Sequence, residues 1–340
     1  MWPVETTRLI GPGARLLSSH PRSPLEKPRT PSRGMHNSTL FMATPGPPDR
    51  TPRRFSEPAL RPLWMAASFA VLLYVCWMLL AGLFQPRLDW LAGTAFASRL
   101  LLYYFCLNGF VLALSAAYLC LLDGESFRAL GLWFHSNWFL QGLAGLAWGS
   151  GVISLTALAL FLSRAVAVPP VSFRPSAHLV LLLAFLFLAA TFEELTFRGY
   201  ALQRLAVGLG PVAAACVSSA LFGFAHSGNP QATLLSTLNT MLAGIFLAAA
   251  RLRSRALWMP IGLHFGWNLF LGPVFSFPVS GYAFGAKELA AHAVVPLWLT
   301  GGAYGPEGSA ALTAILVAAI LLLLRLPLPV ASLGPQSEVD

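Results

Sequence analysis

Residues 179–205 read LVLLLAFLFLAATFEELTFRGYALQRL. From Leu179 to Ala190 the run carries no charge. About 20 apolar residues of this kind form a helix long enough to cross a bilayer core. The same run then holds Glu193, Glu194 and Arg198. Ionisable groups inside a membrane are costly, and they face a cavity or a partner. The stretch therefore predicts a transmembrane helix with a polar purpose.

Composition extends that reading to the whole chain. Of 340 residues, 56% are apolar and 10% charged, against roughly 25% charged in an average globular protein. Apolar runs recur at 62–84, 99–122, 138–162, 178–206, 211–227, 232–250, 256–273 and 309–327. A β-barrel would instead alternate over segments of about 10 residues. The expected fold is all-α, a polytopic integral membrane protein of about eight transmembrane helices. Short connections predict antiparallel neighbours. The domain plan is a disordered basic, Pro-rich tail over 1–60, a transmembrane domain over 61–330 with its motif core at 178–273, and a short tail at 331–340.

The net charge is +9, and residues 1–62 hold ten Lys or Arg against four acids. That excess predicts a cytoplasmic N-terminus rather than a nucleic-acid partner. Eight spans then bring the C-terminus to the cytoplasmic side, with the loop Arg251-Leu252-Arg253-Ser254-Arg255. The expected location is the cell membrane. No secretory signal is visible, Met35 and Met42 are alternative starts, and Asn37-Ser38-Thr39 would be silent on a cytoplasmic tail. Cys76, Cys106, Cys120 and Cys216 lack metal-ligand spacing and are expected to be small buried thiols. Segment 123–137 is expected to lie amphipathically at the interface. Segment 274–308, with Lys287, Glu288, His292 and Glu307, is expected to be a connection.

Spacing sorts the polar intruders. Glu194 and Arg198 are four apart with the acid first, the favourable order for a helical ion pair. Glu193 points about 100° away from Glu194 and lacks a cation on its own helix. Such a carboxylate suits a general base. His226 ends the fifth run, in LFGFAHSGN. His264 and Asn268 share one face of the seventh, in WMPIGLHFGWNLF, where Gly262 and Gly266 permit close packing. With a rise of about 1.5 Å per residue, Glu193 lies roughly 22 Å from Gly208 and His226 about 22 Å from Pro211. By the same rise, His264 and Asn268 lie about 14 and 20 Å from Arg255. All four can meet at one depth. Each piece alone has a plain structural reading: an ion-pair pin, a hydrogen-bonded core histidine, glue between helices. Their coincidence favours a site.

Glu-Glu-x-x-x-Arg, Phe-x-x-x-His and His-x-x-x-Asn in this order, as Glu193-Glu194 with Arg198, Phe222 with His226, and His264 with Asn268, resemble the type II CAAX prenyl endopeptidases. This family is also called CPBP, for CAAX proteases and bacteriocin-processing enzymes, and includes the Abi proteins. The likeness runs on through Ser280-Gly281 and the stretch 300–308.

The resemblance implies an intramembrane protease with an eight-helix fold and a cavity open to the cytoplasm. Its substrate would be a peptide or a lipidated protein. Glu193 and His226 would activate water, His264 and Asn268 would stabilise the oxyanion, and Glu194 with Arg198 would tune the site. The family's metalloprotease label makes zinc a possible cofactor, with Glu193, His226 and His264 as two imidazoles and a carboxylate. A metal-free glutamate mechanism uses the same residues. It is preferred here, and the chain lacks His-Glu-x-x-His. Two rival functions are a proton-coupled transporter, whose paired repeats are missing, and a non-catalytic binding or immunity protein of the same fold.

Overall fold

The computed structural model describes residues 60–88, 94–164, 176–282 and 296–331. All of them fall in one compact unit, Pro45–Asp340. Most of the basic tail, the glycosylation triplet, the alternative starts, Lys287, Glu288, His292 and the last nine residues lie outside the described residues.

Helices occupy every predicted span. They are α1 (Arg61–Leu88), α2 (Thr94–Ala116), α3 (Trp138–Leu162), α4 (Ala177–Arg198), α5 (Tyr200–Leu209), α6 (Pro211–His226), α7 (Leu234–Ser254) and α8 (Trp258–Leu269). A single turn, α9 (Leu297–Thr300), precedes α10 (Ala310–Arg325). No strand occurs among the described residues. The chain is a polytopic α-helical integral membrane protein. Among the described residues, five helical segments are long and apolar enough to cross a membrane, while Pro211–His226 and Ala310–Arg325 are apolar but shorter.

Local chemistry sets the boundaries. Ser176 Oγ accepts the Leu179 N–H at the start of α4, and Ser309 Oγ accepts the Leu312 N–H at the start of α10. Thr233 and Ser236 form a reciprocal capping box at α7, satisfying N–H groups that the first turn leaves unpaired. The predicted span 178–206 is broken at Gly199. The break leaves Glu193, Glu194 and Arg198 in the last two turns of α4.

Three expectations are corrected. The Arg-rich loop is the last turn of α7, ending at an Arg255 with φ 62°. Arg251 is buried there and donates to the Leu130 carbonyl at 3.4 Å. Cys120 and Cys216 are exposed rather than buried, because each sits on an outward helix face; all four cysteines are free thiols. Packing follows chain order only in part. The most extensive pairing is α3 with α8, followed by α6 with α7 and α2 with α4.

Glycine explains the α3–α8 pairing. A Cβ added at Gly145 or Gly149 would collide with the Met259 or Leu263 carbonyl, and one at Gly262 or Gly266 with the Gly142 or Leu146 carbonyl. Each helix thus lets in the other's backbone, a device suited to lipid, where association relies on packing rather than on expulsion of water. Helix α8 is buried along most of its length, from Met259 through Asn268. One core cluster joins its Leu263 and Trp267 to α3, α6, α7 and α10. A second joins its Ile261 to α1, α2, α4 and α5. The most enclosed helix is the one that carries His264 and Asn268.

Segment 123–137 is tied to α5. Arg204 of α5 reaches Glu125 at 3.0 Å and Asp123 at 3.5 Å, and Tyr200 donates to Asp123 at 2.8 Å.

Candidate active site

The end of α4 presents its two carboxylates in different directions, as their adjacent positions require. Glu194 is fully buried and receives Arg198 Nη1 at 3.1 Å. Arg198 also donates to the Gly244 carbonyl of α7 at 3.2 Å. Its guanidinium lies 4.2 Å from the centre of the Phe222 ring. Cation–π contact of this kind strengthens when the charge is desolvated. The Phe222 ring in turn packs against His226, with centroids 4.6 Å apart. Phe222 therefore separates the structural cation from the site imidazole. Sequence reading noted this phenylalanine without finding a physical task for it.

Both histidines are oriented through Nδ1. His226 Nδ1 lies 2.8 Å from the Phe222 carbonyl oxygen. A carbonyl only accepts, so this nitrogen carries the proton, and in the neutral ring Nε2 keeps a lone pair. His264 Nδ1 lies 2.9 Å from Glu194 Oε1, the same oxygen that receives Arg198.

The two Nε2 atoms face Glu193. Its Oε2 is 3.6 Å from His226 Nε2 and 3.7 Å from His264 Nε2. Both separations are too long for direct hydrogen bonds. Glu193 Oε2 is buried and has no hydrogen-bond partner among the described residues. Native structures rarely leave a buried acceptor unmet, and the exceptions cluster at functional positions. Asn268 is buried one turn beyond His264 on α8. It takes no part in the hydrogen bonds that orient the histidines.

Glu193, Glu194, Arg198, His226 and His264 thus form one contiguous cluster drawn from α4, α6 and α8. Beside the histidines lies a cavity with about 30 Å³ of room for water centres. Neither Glu193 nor Asn268 lines it, whereas Asn239, Thr240, Ser280 and Glu307 do. Glu307 is a site-wall residue that intramembrane spacing could not flag, because it sits in a loop far along the chain. The loop was read as a connection. Of its described residues, 274–282 and 296–308, the second stretch folds inward and buries Tyr304, Pro306, Glu307 and Gly308.

Zinc would draw its donors from Glu193, His226 and His264. Two imidazoles and a carboxylate are suitable ligand types. Among the described residues, however, no three His, Cys, Asp or Glu are arranged to hold a metal ion. The two Nε2 atoms nonetheless stand 3.6 and 3.7 Å from one Glu193 oxygen, near the roughly 3.4 Å that separates neighbouring donors around a tetrahedral zinc ion.

A family model described as Type II CAAX prenyl endopeptidase Rce1-like matches residues 175–270. That segment contains Glu193, Glu194, Arg198, His226, His264 and Asn268 and stops short of Glu307. The match makes this stretch, 96 of the 340 residues, similar to that family. No curated protein and no solved structure matches the chain.

Proposed function

We propose that the protein is an intramembrane endopeptidase that hydrolyses a peptide bond with water activated jointly by Glu193 and His226. The observation that carries this reading is the unmet Glu193 Oε2 facing two imidazoles at 3.6 and 3.7 Å. A carboxylate and an unprotonated Nε2 are both acceptors. A water placed beside them donates a hydrogen to each and presents its oxygen lone pair to a carbonyl. The water oxygen bonds to the carbonyl carbon, and the water's proton passes to Glu193. The tetrahedral oxyanion then collapses, the C–N bond breaks, and Glu193 returns the proton to the departing amine.

His264 and Asn268 supply the oxyanion's donors in this reading. His264 lies between two carboxylates, with Nδ1 on Glu194 and Nε2 toward Glu193. As an imidazolium it keeps an Nε2–H to offer, and the Asn268 amide adds a neutral donor from the same helix. Donors fixed on a packed helix need no reorganisation when the charge develops. Glu194 ties that helix to α4, and Arg198 ties α4 to α7. Every step uses the chain's own residues, so the proposed mechanism is metal-independent.

A prenylated or otherwise membrane-anchored peptide is the proposed substrate class, reached with both chain termini cytoplasmic. The test is cleavage of C-terminally prenylated peptides beside unlipidated ones of the same sequence, by purified protein in nanodiscs. Preferential cleavage of the lipidated set supports the reading. Equal cleavage removes the lipid from it, and no cleavage of any peptide favours a binding role for the fold.

A further inference from the structure

Glu307 is 8% exposed. Trp267 Nε1 donates to its Oε1 at 2.9 Å, and the Ser280 N–H donates to its Oε2. Asn239 Nδ2 reaches the Glu307 and Ser309 carbonyl oxygens, each at 2.9 Å, while Asn239 Oδ1 accepts the Thr313 hydroxyl at 2.6 Å. The turn itself needs Gly301 and Gly305 at φ 84° and 93°, a region that side chains disfavour. Glu307 is therefore held by its backbone carbonyl from α7 and by its carboxylate from α8 and the turn at Ser280.

The fixed group faces a space. The cavity it lines has about 30 Å³ of room for water centres, and one water needs on the order of 10–15 Å³ on that measure. Buried water also needs two to four polar partners, as a rough rule. His226, His264, Asn239, Thr240, Ser280 and Glu307 supply them on the cavity wall. An ionised carboxylate offers about four acceptor positions, and two N–H donors leave Glu307 with capacity to spare. The remaining wall is apolar, with Phe246, Leu263 and Leu312 among it. A bound water would thus be directed toward Glu307 and the histidines.

We propose that this cavity holds the water drawn on by the hydrolysis, and that Glu307 is the positioning residue that keeps it beside the two histidines. The proposal rests on the protease reading above and extends it to a residue outside the matched segment. Hydrolysis within a bilayer consumes water that the hydrocarbon does not supply. A polar store against the catalytic imidazoles meets that need.

The direct test is a structure of the full chain from crystals grown in a lipidic mesophase. Ordered water within about 3.2 Å of the Glu307 carboxylate, in the space bounded by His226 and His264, is the expected result. A dry cavity overturns the proposal. Kinetics give the second arm. Glu307→Gln is expected to lower kcat about tenfold or more with KM changed less than about twofold, and with the melting temperature held. If Glu307→Gln does not fold, Glu307→Asp keeps the charge but withdraws it by one methylene, and its kcat is expected to fall less.

Wild-type kcat in both variants sinks the proposal. So does a loss that tracks a fall in melting temperature and is recovered on cooling, since that behaviour belongs to a structural brace. Failure of the protease reading looks different: wild-type protein cuts no substrate while the ordered water remains.

Discussion

Glu194 and His264, 70 residues apart in sequence, meet at 2.9 Å through Oε1 and Nδ1. The same oxygen receives Arg198 at 3.1 Å. One buried carboxylate therefore joins the cation that anchors α4 to α7 with the imidazole that faces Glu193. Fold and site share an atom, so changes at Glu194 or Arg198 act on both.

Arg198→Ala leaves Glu194 buried without its cation and strips the Gly244 carbonyl of a donor. Breaking a buried pair by removing one partner costs about 3–5 kcal/mol. The expected outcome is a large fall in thermal midpoint, together with lost activity. A fluorescence melt of the detergent-solubilised variant beside wild type measures it.

Phe222→Leu keeps the apolar volume near its original size but removes the aromatic face between Arg198 and His226. The lost cation–π contact is worth about 0.5–2 kcal/mol. The melting temperature should fall modestly, and kcat should fall more than KM rises, because the His226 ring loses its packing partner. Steady-state kinetics with a peptide substrate separate the two effects.

Gly149→Ala drives a methyl into the Leu263 carbonyl on the helix that carries His264. Overpacking costs about 1–3 kcal/mol where neighbours can yield, and here the neighbour is backbone. Gly151, on the same helix but with open space around it, provides the comparison. Gly151→Ala is expected to melt close to wild type while Gly149→Ala melts well below it.

Much of this was legible beforehand for definite reasons. A charge inside an apolar run is visible without any structure, so the intramembrane acids, arginine and histidines could be picked out one by one. The i,i+4 rule paired Glu194 with Arg198, and the glycines of α8 announced a close helix contact. The partner of that contact was not legible, because Gly142, Gly145 and Gly149 sit on α3, more than 100 residues earlier. Nor was the tie between His264 and Glu194, since helical spacing relates residues only within one helix. Glu307 escaped for a third reason: a glutamate in a Gly- and Pro-rich loop looks solvated until the loop is seen to fold inward. The α7 terminus was misread because arginines were assumed to be solvated, whereas Arg251 finds a backbone acceptor inside the protein.

Asn268→Ala tests the oxyanion assignment. Loss of one oxyanion donor lowers kcat by about 10²–10³. Substrate affinity and melting temperature should change little, because the amide is not part of the network that orients the histidines. A KM that rises while kcat holds would move Asn268 from transition-state stabilisation to substrate binding.

In the proposed mechanism Glu193 activates water without a metal. The most direct measurement is single-turnover cleavage of a prenylated peptide in nanodiscs by wild-type protein and by Glu193→Gln, each with and without a zinc chelator. The account predicts a fall of about 10²–10⁴ in rate for Glu193→Gln, and wild-type cleavage that the chelator leaves unchanged. Undiminished cleavage by Glu193→Gln would contradict the assignment of the base, and wild-type cleavage abolished by the chelator and restored by zinc would contradict the metal-free mechanism.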